Sequence, residues 1–295
     1  MKVPFTKIVV FFLLILGIRQ TSYAQGQLSN VHAEGATQIL VDNEENLILL
    51  YPEEAVLRKY LAPSYDSVLV FGGASQLQDG MVYPTKAVLF SRQDIYVLDE
   101  SLQQLILLNK DFSEVGRISL QEEAFNSPNV DLSDGFQAID FVIGPGGAVY
   151  LINQLDAQIL KYNSFTGVEW QFGGVNYGEG SLQNPISIGI DDQQLFVYDA
   201  DLEKMILFDL YGNYVSTLSP EANGEWRYQG KYQGRMFWMN GQQLWVTANQ
   251  ARRTSILSLK EELGPIKAIY PFQNKLYVIS KNQVHLQDIS AILEE

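Results

Sequence analysis

The sequence predicts an all-β fold, a six-bladed β-propeller of four-stranded antiparallel blades, and three observations carry that prediction. A short strand of the form aliphatic, aromatic or aliphatic, aliphatic recurs six times, centred on Ile48, Tyr96, Tyr150, Phe196, Trp245 and Tyr277. The centres lie 48, 54, 46, 49 and 32 residues apart, close to the roughly 40 to 50 residues that a four-stranded blade takes up. No helical pattern long enough for a helix domain interrupts the series, and no Pro/Ser-rich linker divides it.

The clearest copy, Pro185 to Leu218, shows why the unit is a blade. Ile186, Ile188 and Ile190 alternate with small or polar residues, as a strand buried on one side requires. Asp191 to Gln194 turn the chain, Leu195 to Tyr198 and Met205 to Phe208 supply two strands, and Tyr214 to Leu218 a fourth after the turn Tyr211-Gly212-Asn213. A lone sheet of this kind leaves two faces to bury, and stacking six around an axis buries both.

Two copies are nearly superimposable in sequence. Phe71-Gly72-Gly73 precedes Pro84 by the spacing that separates Phe172-Gly173-Gly174 from Pro185, and Tyr96, Asp99 and Ile106 align with Phe196, Asp199 and Ile206. Glycine permits a tight exit from an outer strand, and proline is tolerated at the first residue of an inner edge strand. The inner strands are expected at Gln38 to Val41, Ala87 to Phe90, Ile139 to Ile143, Ile186 to Ile190 and Met236 to Met239. The last copy offers only Lys267 to Phe272, Leu276 to Ser280 and Gln283 to Ile289. A strand is missing there, and Gln27 to Ala33 is expected to supply it as the outermost one, removing the exposed edge. The short last interval implies that the fifth blade has a stunted outer strand near Glu262 to Ile266.

Asn184-Pro185, Asp191, Leu195-Phe196-Val197-Tyr198-Asp199 and Ile206-Leu207-Phe208 resemble the repeat of the NHL family of propellers. The likeness extends over about residues 36 to 290, but only the second and fourth copies are close. At the strand-end Asp position of that repeat the third copy has Asn153, and Pro52, Ala248 and Ser280 fall near it in the first, fifth and sixth.

The ends and the charge bound the class of function. Residues 1 to 24 read as an export signal: Lys2 and Lys7, then the apolar run Ile8 to Ile18, then Ser22-Tyr23-Ala24 with cleavage after Ala24. That run of 11 residues is short for a membrane span, which needs roughly 20. The expectation is a secreted or periplasmic domain over 25–295 with no stable membrane insertion after leader removal. The chain has no cysteine, hence no disulfide or thiolate chemistry. With 34 Asp and Glu against 20 Lys and Arg, its net charge is −14, and three of those cations lie in the leader. Such a field disfavours nucleic acid and anionic membranes as partners.

Antiparallel order places Asp99, Asn153 and Asp199 on one rim with the inter-blade loops Gln121 to Gly135, Val175 to Asn184 and Ser219 to Gly230, the last carrying Trp226, Arg227 and Tyr228. Loops on a rigid scaffold are where binding commonly resides, and an aromatic, acidic rim can stack a sugar or attract a cationic peptide. The other reading has the three polar residues capping turns and Trp226 packing between blades. Two histidines, His32 and His285, both expected on strands of the closing blade, cannot form a three-histidine zinc site. Gly144-Pro145-Gly146-Gly147 reads as a hairpin turn, for no helix or lysine follows it as a phosphate loop would require. Asp191-Asp192 and Glu122-Glu123 could offer oxygen to calcium, though surface carboxylates are ordinarily solvated. No cofactor is expected.

The preferred reading is therefore a non-catalytic scaffold that presents its rim to a protein, peptide or glycan at the cell envelope. Its rival is an enzyme, because propellers similar in outline include calcium-dependent lactonases and peptide-amidating lyases with a metal in the axial channel. The mostly apolar inner strands argue against that rival.

Overall fold

The computed structural model describes residues 26–290 except 74–79, 92–93, 133, 164–166, 221, 249–252 and 260–262. The leader with Ala24, together with Glu262, lies outside the described residues. Six four-stranded antiparallel sheets form a ring. Their inner strands are Gln38–Val41, Pro84–Phe90, Ala138–Ile143, Pro185–Ile190, Arg227–Tyr232 and Ile266–Phe272, in blades one to six. In the fourth blade all four strands fall where the alternation places them.

Closure is by the N-terminal strand. Gly26–Leu28 pairs with Gln283–Asp288, Gln27 facing His285, and becomes the outermost strand of blade six. It is shorter than the expected Gln27 to Ala33: the chain turns at Ser29-Asn30, where the Val31 amide donates to the Leu28 carbonyl, and His32 consequently lies in an exposed loop rather than a strand.

The fifth blade corrects the phase of the repeat. Trp245 lies on the third strand, Gln243–Ala248, and the second strand is Arg235–Asn240, centred on Phe237. Met236 to Met239 is thus not an inner strand. With Phe237 as the centre, the last intervals become 41 and 40, and the apparent shortening vanishes. The outer strand, Arg253–Ser258, has six residues, and Ile266 opens the inner strand of blade six. The blade has tandem apolar strands, Met236-Phe237-Trp238-Met239 and Leu244-Trp245-Val246, separated by a short turn. Pattern alone gives either the same rank.

The core is divided into six clusters, each wedged between two successive blades. Between blades four and five, for example, Phe196, Tyr198 and Leu207 meet Met236, Trp238 and Trp245. The duplicated glycines behave as the sequence implies. Gly72 and Gly173 take φ of 88° and 81°, and a Cβ on Gly72 would sit 2.3 Å from the Ala55 carbonyl oxygen, so only glycine fits that exit.

Candidate active site in the axial channel

Counting three residues on from each strand centre gives Tyr51, Asp99, Asn153, Asp199, Asn240 and Ser280, and all six side chains tether the loop that leads into their own blade. Tyr51 donates to the His32 carbonyl, Asn240 to the Asn223 carbonyl and Ser280 to the Leu263 carbonyl. The Asp99 carboxylate accepts from the amides of Val82, Tyr83 and Leu102. Asp199 accepts from Gln183, Asn184 and Leu202 at 2.6, 2.9 and 3.0 Å. Asn153 accepts from the Gln137 amide and donates to the Gly135 carbonyl. Corrected for phase, Asn240 takes the place given to Ala248, and Tyr51 that given to Pro52.

Asp99, Asn153 and Asp199 are therefore at the expected rim but fully buried, and their polar atoms are spent on backbone. They cannot form a binding surface without dismantling the loops. We expect Asp199→Asn to destabilise by about 2 kcal/mol, close to the effect of Asp199→Ala, because both carboxylate oxygens face N–H donors and an amide NH₂ would abut one of them. A urea titration checks this; a change within about 0.5 kcal/mol would overturn the tether. Asn153 escapes that penalty because its NH₂ faces the Gly135 carbonyl and the Asp156 carboxylate.

Trp226 follows the packing reading and not the rim one. It is fully buried, its ring 5.7 Å from that of Trp245 and its Nε1 donating to the Ala222 carbonyl at 3.2 Å. The inter-blade loop ends there: Arg227 and Tyr228 belong to an inner strand and line the channel. The other candidates lie outside the channel site or are already paired. The Asp191 carboxylate bonds the Gln193 and Gln194 amides, Asp192 pairs with Lys231 at 2.7 Å, and Glu122 and Glu123 sit in the first turn of the helix Leu120–Asn126, in a segment expected to be loop. Gly144 to Gly147 is the anticipated hairpin turn.

The channel is more polar than its strand sequences suggest. A belt of hydrogen bonds runs around the axis from blade to blade. Gln38 of blade one exchanges two bonds with the Ala87 backbone of blade two. Lys86 pairs with Asp140 of blade three at 2.9 Å. The other oxygen of Asp140 accepts from the Ser187 hydroxyl and the Ile188 amide of blade four, and Ser187 accepts from the Tyr228 amide of blade five. Gln229 then accepts from the Ile269 amide of blade six. Gln38, Asp140 and Ser187 each sit alone in an otherwise apolar strand, so periodicity hides them. The visible sign is the register: Gln38, Lys86, Asp140 and Ser187 all pair with the residue two beyond their strand centre.

The belt separates two chambers that share Gln38, Lys86, Tyr228 and Gln229. The upper, of about 480 Å³, opens toward the rim of the inter-blade loops and is lined by Tyr83, Thr85, Glu100, Gln154 and Arg227 among others. Arg227 is half-exposed, with Nη1 on the Ile186 carbonyl at 3.2 Å and only a 3.5 Å contact to Glu225. The buried Thr85 hydroxyl has no partner among the described residues. The lower chamber, of about 390 Å³, opens on the opposite rim.

No family model matches the chain, and no curated relative does. Solved structures do. The virginiamycin B lyase of Staphylococcus aureus aligns over 90% of this chain and 99% of its own at 9% identity, with a TM-score of 0.57. A streptogramin B lyase does so over 90% and 97% at 10% identity and a TM-score of 0.60. A gluconolactonase of Xanthomonas campestris gives 91%, 90%, 9% and 0.61. These likenesses establish the fold. A fold hosts many chemistries.

A resident divalent cation does not fit this belt. Among the described residues no three His, Asp or Glu side chains cluster as ligands. The belt's carboxylate, Asp140, already has its charge met by Lys86 and its oxygens filled by three N–H and O–H donors. Hard cations require several free oxygen donors, and here an ammonium holds that place.

Proposed function

We propose that this protein is an exported propeller that acts on a small polar molecule in the upper chamber of its axial channel, a lyase or lactone-opening enzyme in architecture rather than a scaffold that works through its rim. One observation carries the reading: in a chain of net charge −14, the half-exposed Arg227 faces the chamber with only a 3.5 Å contact to Glu225. A loosely held cation at the mouth of a concave site suits a small molecule bearing a carboxylate or a ring ester. Arg227, bonded to one carbonyl and half-exposed, holds the anionic group. Lys86 and Asp140 lie at the floor as a charge-balanced pair, so Arg227 carries the attraction for an anion. The rim residues that favoured a scaffold are tethers and core, which supports the channel over the rim. Residues 1 to 24, read as an export signal, fit an envelope location.

The test uses the mature chain, residues 25–295, against a panel of sugar lactones, hydroxy acids and cyclic esters, with thermal shift and product analysis in the presence and absence of a chelator. We expect saturable binding that survives the chelator and weakens at least roughly tenfold in Arg227→Ala, the loss of about one charge-assisted hydrogen bond. Stoichiometric metal uptake with turnover that the chelator abolishes, or capture of an envelope protein with no small-molecule binding, would overturn it.

A further inference from the structure

We infer that the lower chamber is a second, separate binding site, for a small uncharged ring compound that carries a carbonyl group. Its wall is built by four blades: Leu40 from the first, Val88 and Leu89 from the second, Val142 from the third and Ile190 from the fourth. The other two blades contribute aromatic rings, Tyr228 and Tyr270. A cavity of about 390 Å³ is within the range that holds a small ligand, and such sites pair an apolar wall with a few placed polar groups. Here those groups are two phenols.

Their state defines the ligand. Burial drives the Tyr270 hydroxyl up to about 12. Tyr228 is pushed higher still, by burial first and then by Tyr270, Asp191 and Asp140. Both stay neutral across any physiological pH, so both present an O–H donor. Both residues line the open chamber, and neither hydroxyl bonds a protein group among the described residues, which leaves each free to bond a molecule held there. A ligand carbonyl supplies the acceptor they lack. At the mouth Lys231 is held by Asp192 at 2.7 Å and Asp191 by its turn amides. A charged ligand therefore finds no unpaired counterion there, whereas an uncharged ring loses only water. Tyr270 lines this chamber alone, and Arg227 only the upper one, so the two sites can be disabled independently.

The probe is 6-propionyl-2-(dimethylamino)naphthalene, an uncharged naphthyl ketone whose emission responds to hydrogen bonding at its carbonyl. Tryptophan emission provides a second readout, because the Trp238 ring lies 5.3 Å from that of Tyr228, tilted by 54°. We expect saturable one-to-one binding to the mature chain with energy transfer from tryptophan. Tyr270→Phe, which removes one oxygen, should raise Kd roughly five- to tenfold and shift the bound emission to the blue. Ile190→Trp should fill the chamber and abolish binding, and Arg227→Ala should leave it within about twofold. Should Ile190→Trp not fold, Tyr270→Phe decides alone. Absence of saturable binding, or binding that Tyr270→Phe leaves unaltered in affinity and emission, would overturn the inference whatever the upper chamber does.

Discussion

Trp226→Ala is expected to destabilise the propeller by about 3–5 kcal/mol, the range for removing a large buried aromatic and leaving a cavity. Trp226 packs into the wedge between blades four and five with Tyr198, Trp238 and Trp245. Its ring meets Trp245 at 63°, an edge-on contact that adds to the area it buries. The Nε1 bond to Ala222 fixes the end of the loop from which the inner strand of blade five starts, so the variant loses an anchor as well as volume. In thermal unfolding the loss corresponds to a fall of roughly 10 °C, at 2–4 °C per kcal/mol for a domain of this size. Trp226→Phe keeps most of the packing and should recover more than half of the loss. If Trp226→Ala melted within a degree or two of wild type while a ligand let go, the residue would belong to a binding surface after all.

What the sequence makes legible is whatever repeats. Alternation, the Phe-Gly-Gly and Pro pairs and the deficit of one strand at the C-terminus together lead to six blades closed head to tail, because each is imposed by backbone geometry on every copy. The fifth blade fails this reading for a physical reason. Its second and third strands are equally apolar and carry tryptophans at similar places, and a rule that ranks aromatic strands cannot separate them. That single slip moved Arg227 and Tyr228 from channel to loop and hid Asn240 among the tethers. The channel is hard to read because its polar residues are scattered over separate blades. Lys86 and Asp140 are 54 residues apart in sequence and 2.9 Å apart in space, and nothing short of the closed ring brings them together. The rim residues fail in the opposite way. Asp99, Asn153 and Asp199 recur, so they stand out, but they recur because each blade needs the same tether.

The belt itself yields the second large effect, and its asymmetry distinguishes a structural clasp from a simple ion pair. Asp140 joins three blades: Lys86 of blade two on one side, the Ser187 hydroxyl and Ile188 amide of blade four on the other, and the Phe141 amide of its own strand. Asp140 is buried and Lys86 largely so, with side-chain exposures of 7% and 13%, so solvent screens the pair only in part. Removing one member of a buried pair costs about 3–5 kcal/mol, since the other charge is left in low dielectric. Lys86→Met should fall at the lower end, because the Asp140 carboxylate retains three hydrogen bonds. Asp140→Leu should reach the upper end, for it strands the ammonium, a hydroxyl and two amides together. The double variant Lys86→Met, Asp140→Leu removes both charges and should cost less than the sum of the two, by at least about 1 kcal/mol of coupling. Urea unfolding of the four proteins measures the cycle. Additive losses would mean that the pair is not a unit. Equal single losses would mean that Asp140 does no more than balance one charge, and the clasp between blades two, three and four would have to be abandoned.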